Sequence, residues 1–409
     1  MKTPLSLLAA LAIVTAAPAA LAQQANPTPD ASPSAAPEAT REGITSNKGP
    51  GGRNITAFDR AKRTGVGGYF DIEFKQPFDG KPSTFDLHRL VLTTSSYLHE
   101  NLFFNAEIEY EHGGLINAGT NDGELKIEQV WADYTINDLL ALRAGVVLIP
   151  FGIVNVLHDS DVRETTTRPL MASTIIPTTW MEPGVGVHGI AYPTEEWQLT
   201  YEAYLTQGLN GNISAARGVR NARPSLANDN NGNKAVTGRV ALSPWLGFEV
   251  GLDGYHGSYD VTGEQHMTML GADLSYTAGP FELVGEFANI ATEGGTFTPA
   301  GASAPVAIPT GLNGYYLEGR YRFFPEFLQS TWLGRGGGFS NPTFTAFARY
   351  GGADTNLAAA DTSDRTEAVI GLNYRPIQTF VTKLEFQQLG EPVTGKQENF
   401  LWSSVAVGF

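Results

Sequence analysis

The chain has 409 residues, with 27 basic and 42 acidic side chains, a net charge of −15 and no cysteine. The acidic balance argues against a nucleic-acid partner, because binding phosphates needs a basic footprint, and the lack of cysteine excludes disulfides, iron–sulfur clusters and thiolate metal sites. An apolar fraction of 42% with 11% aromatics is too rich for a disordered chain, and a single long apolar run, at the N-terminus, does not supply a bundle of membrane helices. A large soluble protein or a β-barrel membrane protein remains.

Met1-Lys2, the apolar stretch Leu5 to Leu21 and the small-x-small site Ala20-Leu21-Ala22 predict a secretory signal peptide over residues 1–22. Residues 23–64 follow as a linker. Pro27, Pro29, Pro33, Pro37 and Pro50 stand there among Ala, Ser and Thr without an apolar period. Such a segment buries too little surface to offset its ordering entropy. It is a spacer able to reach peptidoglycan.

From residue 65 to 409 the period is two. Phe104, Ala106, Ile108 and Tyr110 alternate with Asn105, Glu107, Glu109 and Glu111, and the same alternation runs through Leu140 to Leu148 and Trp197 to Thr206. No stretch sustains the helical period. Strands are predicted at 67–76, 85–98, 101–112, 124–136, 139–149, 185–193, 196–208, 234–243, 246–258, 265–278, 281–292, 312–324, 342–351, 364–375, 377–389 and 397–409. Their number is even.

The connections alternate in length. Short links at His99-Glu100, Asn137-Asp138, Thr194-Glu195, Pro244-Trp245, Gly279-Pro280 and Pro376 separate longer ones such as 113–123, 150–184, 209–233, 293–311 and 352–363. This is the rule of a transmembrane antiparallel barrel, with tight periplasmic turns and longer external loops. Residues 325–341 break it and predict a periplasmic excursion with a helical piece near Glu326 to Ser330. The chain ends on Phe409, in one parity with Val407, Val405 and Leu401, which fits the terminal signal read by the barrel-assembly machinery. An all-β barrel of about sixteen strands in the bacterial outer membrane follows, in contact with lipid and lipopolysaccharide.

Sixteen strands leave an aqueous channel, so the polar parity is expected to line water. Acids on it include Glu107, Glu109, Glu111, Asp133, Glu202, Glu249, Asp253, Glu282, Glu286, Glu318 and Glu367. Bases on it are Arg89, Arg143, Arg239, Arg320, Arg322, Arg349, Arg375 and Lys383. The longest connection, 150–184, is the third external loop. Its prolines and apolar residues argue for an ordered loop, and its length for one folded into the lumen. The candidate pore constriction is therefore His158, Asp159, Asp161, Arg163, Glu164 and Arg168 against Glu107, Glu109 and Arg143. Acids lead slightly over the wall as a whole, which predicts a modest cation preference.

Phe85 to Leu92, Leu102 to Tyr110, Gln129-Val130-Trp131-Ala132-Asp133-Tyr134, Arg143-Ala144-Gly145 leading to Pro150-Phe151-Gly152, and Trp180 through Gly189 resemble the phosphate-selective porin O/P family. The resemblance implies sixteen-stranded trimeric porins, some passing phosphate through a basic lumen. This chain has no dense lysine cluster and no long arginine ladder. Arg163 and Arg168 facing Arg143 would still make a local anion site.

Other motifs carry little. Gly184-Val185-Gly186-Val187-His188-Gly189 matches G-x-G-x-x-G, but strand parity and Pro193 follow where a dinucleotide site needs a helix. Asp229, Asn231 and Asn233 have calcium-loop spacing, but position twelve is Val240. The seven histidines form no H-E-x-x-H, and no G-x-S-x-G is present. No catalytic, cofactor or metal site is assigned. The primary reading is a passive diffusion porin. The alternatives are a phosphate- or anion-selective channel and a structural or adhesive envelope protein.

Overall fold

The computed structural model describes residues 64–113, 123–299, 301 and 303–409, together with residues 48–49 and 52–53. The chain divides into two units, Met1–Thr56 and Ala57–Phe409. In the first, Lys48–Gly49 pairs antiparallel with Gly52–Arg53. The expected signal peptide, most of the expected linker and most of the connection 113–123 lie outside the described residues.

The second unit is a closed antiparallel barrel of sixteen strands. They are β1 (Thr64–Pro77), β2 (Thr84–His99), β3 (Leu102–Glu111), β4 (Glu124–Asn137), β5 (Leu140–Leu148), β6 (Met181–Ala191), β7 (Gln198–Thr206), β8 (Ala235–Trp245), β9 (Phe248–Ser258), β10 (His266–Ala278), β11 (Phe281–Thr292), β12 (Gly311–Phe323), β13 (Thr343–Asp354), β14 (Asp364–Ile377), β15 (Phe380–Glu391) and β16 (Lys396–Gly408). Each strand pairs with its chain neighbour, and β16 closes on β1 through Val405–Ile72 and Val407–Phe70. Closure leaves no unpaired edge, the condition for a sheet in lipid.

Alternation sends one parity to each face. On β15, Leu384 and Phe386 point out while Val381, Lys383, Glu385 and Gln387 are buried inside. Leu252, Leu270, Leu317 and Ile370 lie on the same outer apolar surface. At the short-turn end, aromatic rings follow one another around the rim, from Trp245 and Phe248 to Tyr276, then Phe281, Tyr321, Phe323, Phe344 and Tyr374. Such a girdle sits at a membrane–water interface.

The predicted strands stand, with shifted ends. The sixth begins at Met181 and not at 185, because Met181 to Gly184 pair with Leu148 to Gly145. The turn expected at Pro244-Trp245 lies at Leu246-Gly247, where Gly247 takes φ 88°. The turn expected at Pro376 lies at Gln378-Thr379, after an irregular register between Tyr374 and Ile377. The connection after β12 carries short 3-10 turns at Glu326–Leu328 and Arg335–Gly337. Gly184 to Gly189 lies within β6.

Candidate functional site

The third long connection, between β5 and β6, is ordered from its base inward. Ile149 N donates to the Trp180 carbonyl (3.0 Å). Asn155 bridges the same two residues: its Nδ2 donates to Ile149 O (2.7 Å) and Trp180 O (3.1 Å), and its Oδ1 accepts from Trp180 N (2.7 Å). Two one-turn helices follow, α1 (Ile153–Val156) and α2 (Met171–Thr174).

Inward-facing side chains of distant strands bind the loop backbone. Glu286 on β11 accepts from Val154 N (2.8 Å), and Glu385 on β15 accepts from Thr166 N and Thr167 N (2.9 Å each). Glu367 on β14 accepts from Leu170 N (2.8 Å), and Lys383 donates to Ser160 O (2.6 Å). Arg375, two residues before the short-turn end of β14, donates to Asp161 O (2.7 Å). The loop thus descends inside the barrel. Gly314 on β12 permits its close approach, since a Cβ there would lie 2.7 Å from Met171 Cβ.

On β8–β13 the inner parity is not uniformly polar, contrary to the expectation that it lines water. At the long-loop end it carries Ala235, Tyr255, Met267, Met269, Ile290, Leu312 and Ala353, all buried. These form one apolar cluster with Ile149, Phe151, Ile175, Ile176 and Trp180 of the third loop and Leu209, Ile213 and Val219 of the β7–β8 loop. Trp180 is fully buried, with ring centroids 6.2 Å from Phe151 and 5.2 Å from Tyr255. The short-turn halves of these strands are charged: Arg239 pairs with Asp273 (2.6 Å) and Glu249 (3.0 Å), and Arg320 with Glu318 (2.6 Å) and Glu282 (3.3 Å).

The candidate constriction residues do not converge on one ring. His158 is buried, with Nε2 2.8 Å from Glu128 Oε1 on β4. Burial alone lowers its pKa, but the Glu128 carboxylate raises it above the ordinary histidine value. Arg163, expected to face the pore, is buried and donates to the carbonyls of His158 (2.9 Å) and Thr166 (3.0 Å) and to Ser160 Oγ (3.2 Å). Glu164 accepts from Asn373 Nδ2 (2.9 Å). Asp159 and Asp161 are half-buried and offer their carbonyls to Arg163 N and Arg375. Glu109 pairs with Arg89 (3.0 Å), and Glu107 accepts from Gln129 (2.5 Å). Arg143 does not join Arg163 and Arg168. It sits near the short-turn end of β5, bidentate on Asp133 (2.7 Å to each oxygen) and 3.9 Å above the Trp131 ring.

Arg168 lies elsewhere, beside arginines of the β7–β8 loop. Arg168 donates to Thr178 O (3.2 Å), Arg220 also donates to Thr178 O, and Arg223 donates to Thr179 O (2.7 Å). Among the described residues, no carboxylate lies within 4.0 Å of Arg168, Arg217, Arg220 or Arg223. A cavity of about 240 Å³ is lined by Arg168, Arg217, Arg220, Ser173, Thr174 and Ala216. Burial, then the guanidiniums of Arg89, Arg163 and Arg220, hold Arg168 well below the ordinary arginine range. Burial and Arg223 bring Arg220 down to about 10, still protonated at neutral pH.

Two features escape a reading by parity. Glu128 turns inward because the β3–β4 register shifts between Glu107 and Ile108. Arg217, Arg220 and Arg223 lie on a loop, where parity has no meaning; their spacing of three was the available signal. Of the calcium-like triplet, Asp229 Oδ1 accepts from Asn231 N and Gly232 N (3.0 Å each), and Lys234 contacts its other oxygen. Phe409 is exposed at the end of the chain and exchanges backbone bonds with Gly68 (3.1 and 2.9 Å).

A closed sixteen-stranded barrel with an outer apolar band, an aromatic rim and an internal loop is an outer-membrane barrel of the porin class. The sequence profile of the family described as Phosphate-selective porin O and P matches residues 65–354, and the chain belongs to that family. An uncharacterized protein of Aquifex aeolicus (strain VF5) is 35% identical over 193 residues, 46% of this chain and 42% of that relative, so the match spans less than half of the relative's length. Three solved structures share the fold. Salmonella typhi OmpF, in complex with daunomycin, has a TM-score of 0.55 at 11% identity, over 85% of this chain and 97% of its own. Pseudomonas putida OprB has 0.52 at 10%, over 85% and 95%. An anion-selective porin from Comamonas acidovorans has 0.51 at 12%, over 85% and 99%.

Proposed function

We propose that the barrel is a water-filled channel for passive diffusion of small hydrophilic solutes, not an enzyme, and that its local charge favours anions. The observation that carries the anion preference is the set Arg168, Arg217, Arg220 and Arg223, cations without a carboxylate partner within 4.0 Å among the described residues. Most wall arginines, by contrast, are matched by carboxylates: Arg89 by Glu109 and Glu111, Arg143 by Asp133, Arg239 by Asp273 and Arg349 by Glu367. Screening over ~10 Å in ~0.1 M salt leaves the nearest charges in control of a passing ion, so local pairing outweighs the net charge of the chain.

Reversal potentials across planar bilayers in a KCl gradient test this. Wild type is expected to prefer chloride, and Arg168→Gln with Arg220→Gln to lose that preference. A wild-type cation preference would return the selectivity to the net acid of the wall, as the sequence alone suggested. A homotrimer is proposed on the family resemblance and on the similarity to OmpT of Vibrio cholerae in its trimer form, at a TM-score of 0.50 and 11% identity. Residues 1–22 are proposed as the export signal, residues 23–64 as the periplasmic spacer and Phe409 as the assembly signal. Phe409→Ser is expected to reduce the heat-modifiable, folded fraction in outer membranes; an unchanged fraction would remove that role.

A further inference from the structure

At the long-loop end of β1–β3, five polar side chains face one another on the inner wall. Asp86 and His88 on β2 alternate with the outward Phe85 and Leu87, and His88 is followed by the buried Arg89 across a register shift. Asp71 and Glu73 come from β1, and His112 from the first residue after β3. His112 Nδ1 lies 2.7 Å from Asp86 Oδ2. His88 Nδ1 lies 3.8 Å from the same oxygen and 3.4 Å from Glu73 Oε2. The donor atoms of Asp86, His88 and His112 all lie within 4.8 Å of one another, and so do those of Asp71, Glu73 and His88.

No cation touches this cluster directly. Among the described residues, no lysine or arginine lies within 4.0 Å of Asp71, Glu73 or Asp86; Lys383 and Arg163 act on Asp71 and Glu73 only from beyond that distance, and Arg89 and Lys126 are engaged by Glu109 and Glu111. Asp71 is only 1% exposed, and its Oδ1 has no hydrogen-bond partner. A buried, unpartnered carboxylate oxygen is expensive unless something cationic meets it. His112 is held at φ 50°, alone among the described non-glycine residues in that region, and its ring stands edge-on to His88 with centroids 5.5 Å apart.

We propose that this cluster, centred on His88, binds one divalent transition-metal ion of the zinc type. Imidazole plus carboxylate donors suit zinc, copper and nickel, whereas magnesium and calcium take oxygen donors. Metal–nitrogen and metal–oxygen bonds of ~2.0–2.2 Å place neighbouring donors of a tetrahedral ion ~3.4 Å apart. The observed separations of 2.7, 3.4 and 3.8 Å bracket that value. His88, His112 and Asp86 supply the set, and Glu73, 3.4 Å from His88 on its other side, gives outer negative charge together with Asp71. No linear motif marks the site, because its residues come from two strands and the exit of a third.

Isothermal titration of the detergent-solubilised full chain, purified without a histidine tag, with ZnCl2 and with MgCl2, tests the proposal. The expected result is one zinc ion per chain and no saturable magnesium binding. His112→Asn, which keeps a residue tolerant of positive φ, is expected to weaken zinc binding at least tenfold. His88→Ala is expected to do the same. His256→Ala, at the exposed His256 stacked on His266, is expected to leave the affinity unchanged. Equal zinc affinity in His112→Asn and wild type, loss of binding in His256→Ala instead, or no saturable zinc binding would overturn the proposal. Because His112 is exposed, its variant gives the answer even if His88→Ala fails to assemble.

Discussion

The inner face of β8–β12 and that of β1–β4 use the same alternation for opposite ends. At the long-loop end of β8–β12 the inward parity is Ala235, Tyr255, Met267, Ile290 and Leu312, and two loops cover it as a packed core. On β1–β4 the inward parity is Asp71, Glu73, Arg89, Glu107 and Glu109, where Arg89 pairs with Glu109 and Glu107 accepts from Gln129. The first region orders a loop by excluding water. The second keeps charge near the channel. A period of two marks which residues turn inward, and their chemistry alone decides whether the lumen there is filled or open.

The comparison can be broken most severely by removing the filling. Deleting residues 158–176 is expected to raise single-channel conductance severalfold, because the segment crosses from Glu128 on β4 to Glu385 on β15. A conductance equal to wild type would mean that the loop does not obstruct the passage.

Trp180→Ala acts on the packed side alone. It opens a cavity beside Phe151 and Tyr255 and leaves Glu182 without the indole N–H at 2.7 Å. A loss of about 3–5 kcal/mol is expected in urea unfolding from detergent or lipid. A loss below about 1 kcal/mol would show that the apolar half contributes little.

The smallest effect lies on the polar side, at His158 and Glu128. The folded pKa of His158 is raised, so its stabilising contribution is fully present below the unfolded histidine value of ~6.5 and is lost as pH rises through the folded value. Asp159 reinforces the shift and Arg168 opposes it. Open-channel noise is therefore expected to grow as pH is raised above neutrality, and His158→Gln to remove that dependence. Noise flat with pH in wild type would exclude the pair as a loop support.

Most of the barrel was legible because lipid and water impose alternation on every strand, and sixteen strands were found with ends moved by a few residues. The site was less so. Arg163 reads as a pore charge on a polar loop, yet it satisfies the carbonyls of His158, Thr165 and Thr166. Glu128 was hidden by a register shift, and Arg220 and Arg223 by lying where no period exists. Side-chain hydrogen bonding to backbone, which decides where a loop sits, leaves no pattern in one sequence.

The loop supports have a consequence for biogenesis. Thr166 and Thr167 depend on Glu385, and Arg163 O and Glu164 on Arg375 and Asn373, partners more than 200 positions further along the chain. Contacts so remote are made only after the intervening strands have been added. The narrowing of the passage is thus among the last events of maturation. A protein stalled before its final three strands would lack the anchors of residues 160–170, while Glu286 and Glu128 still held Val154 and His158, and a pulse-labelling time course with protease should find residues 160–170 cut in the intermediate and protected in the finished barrel.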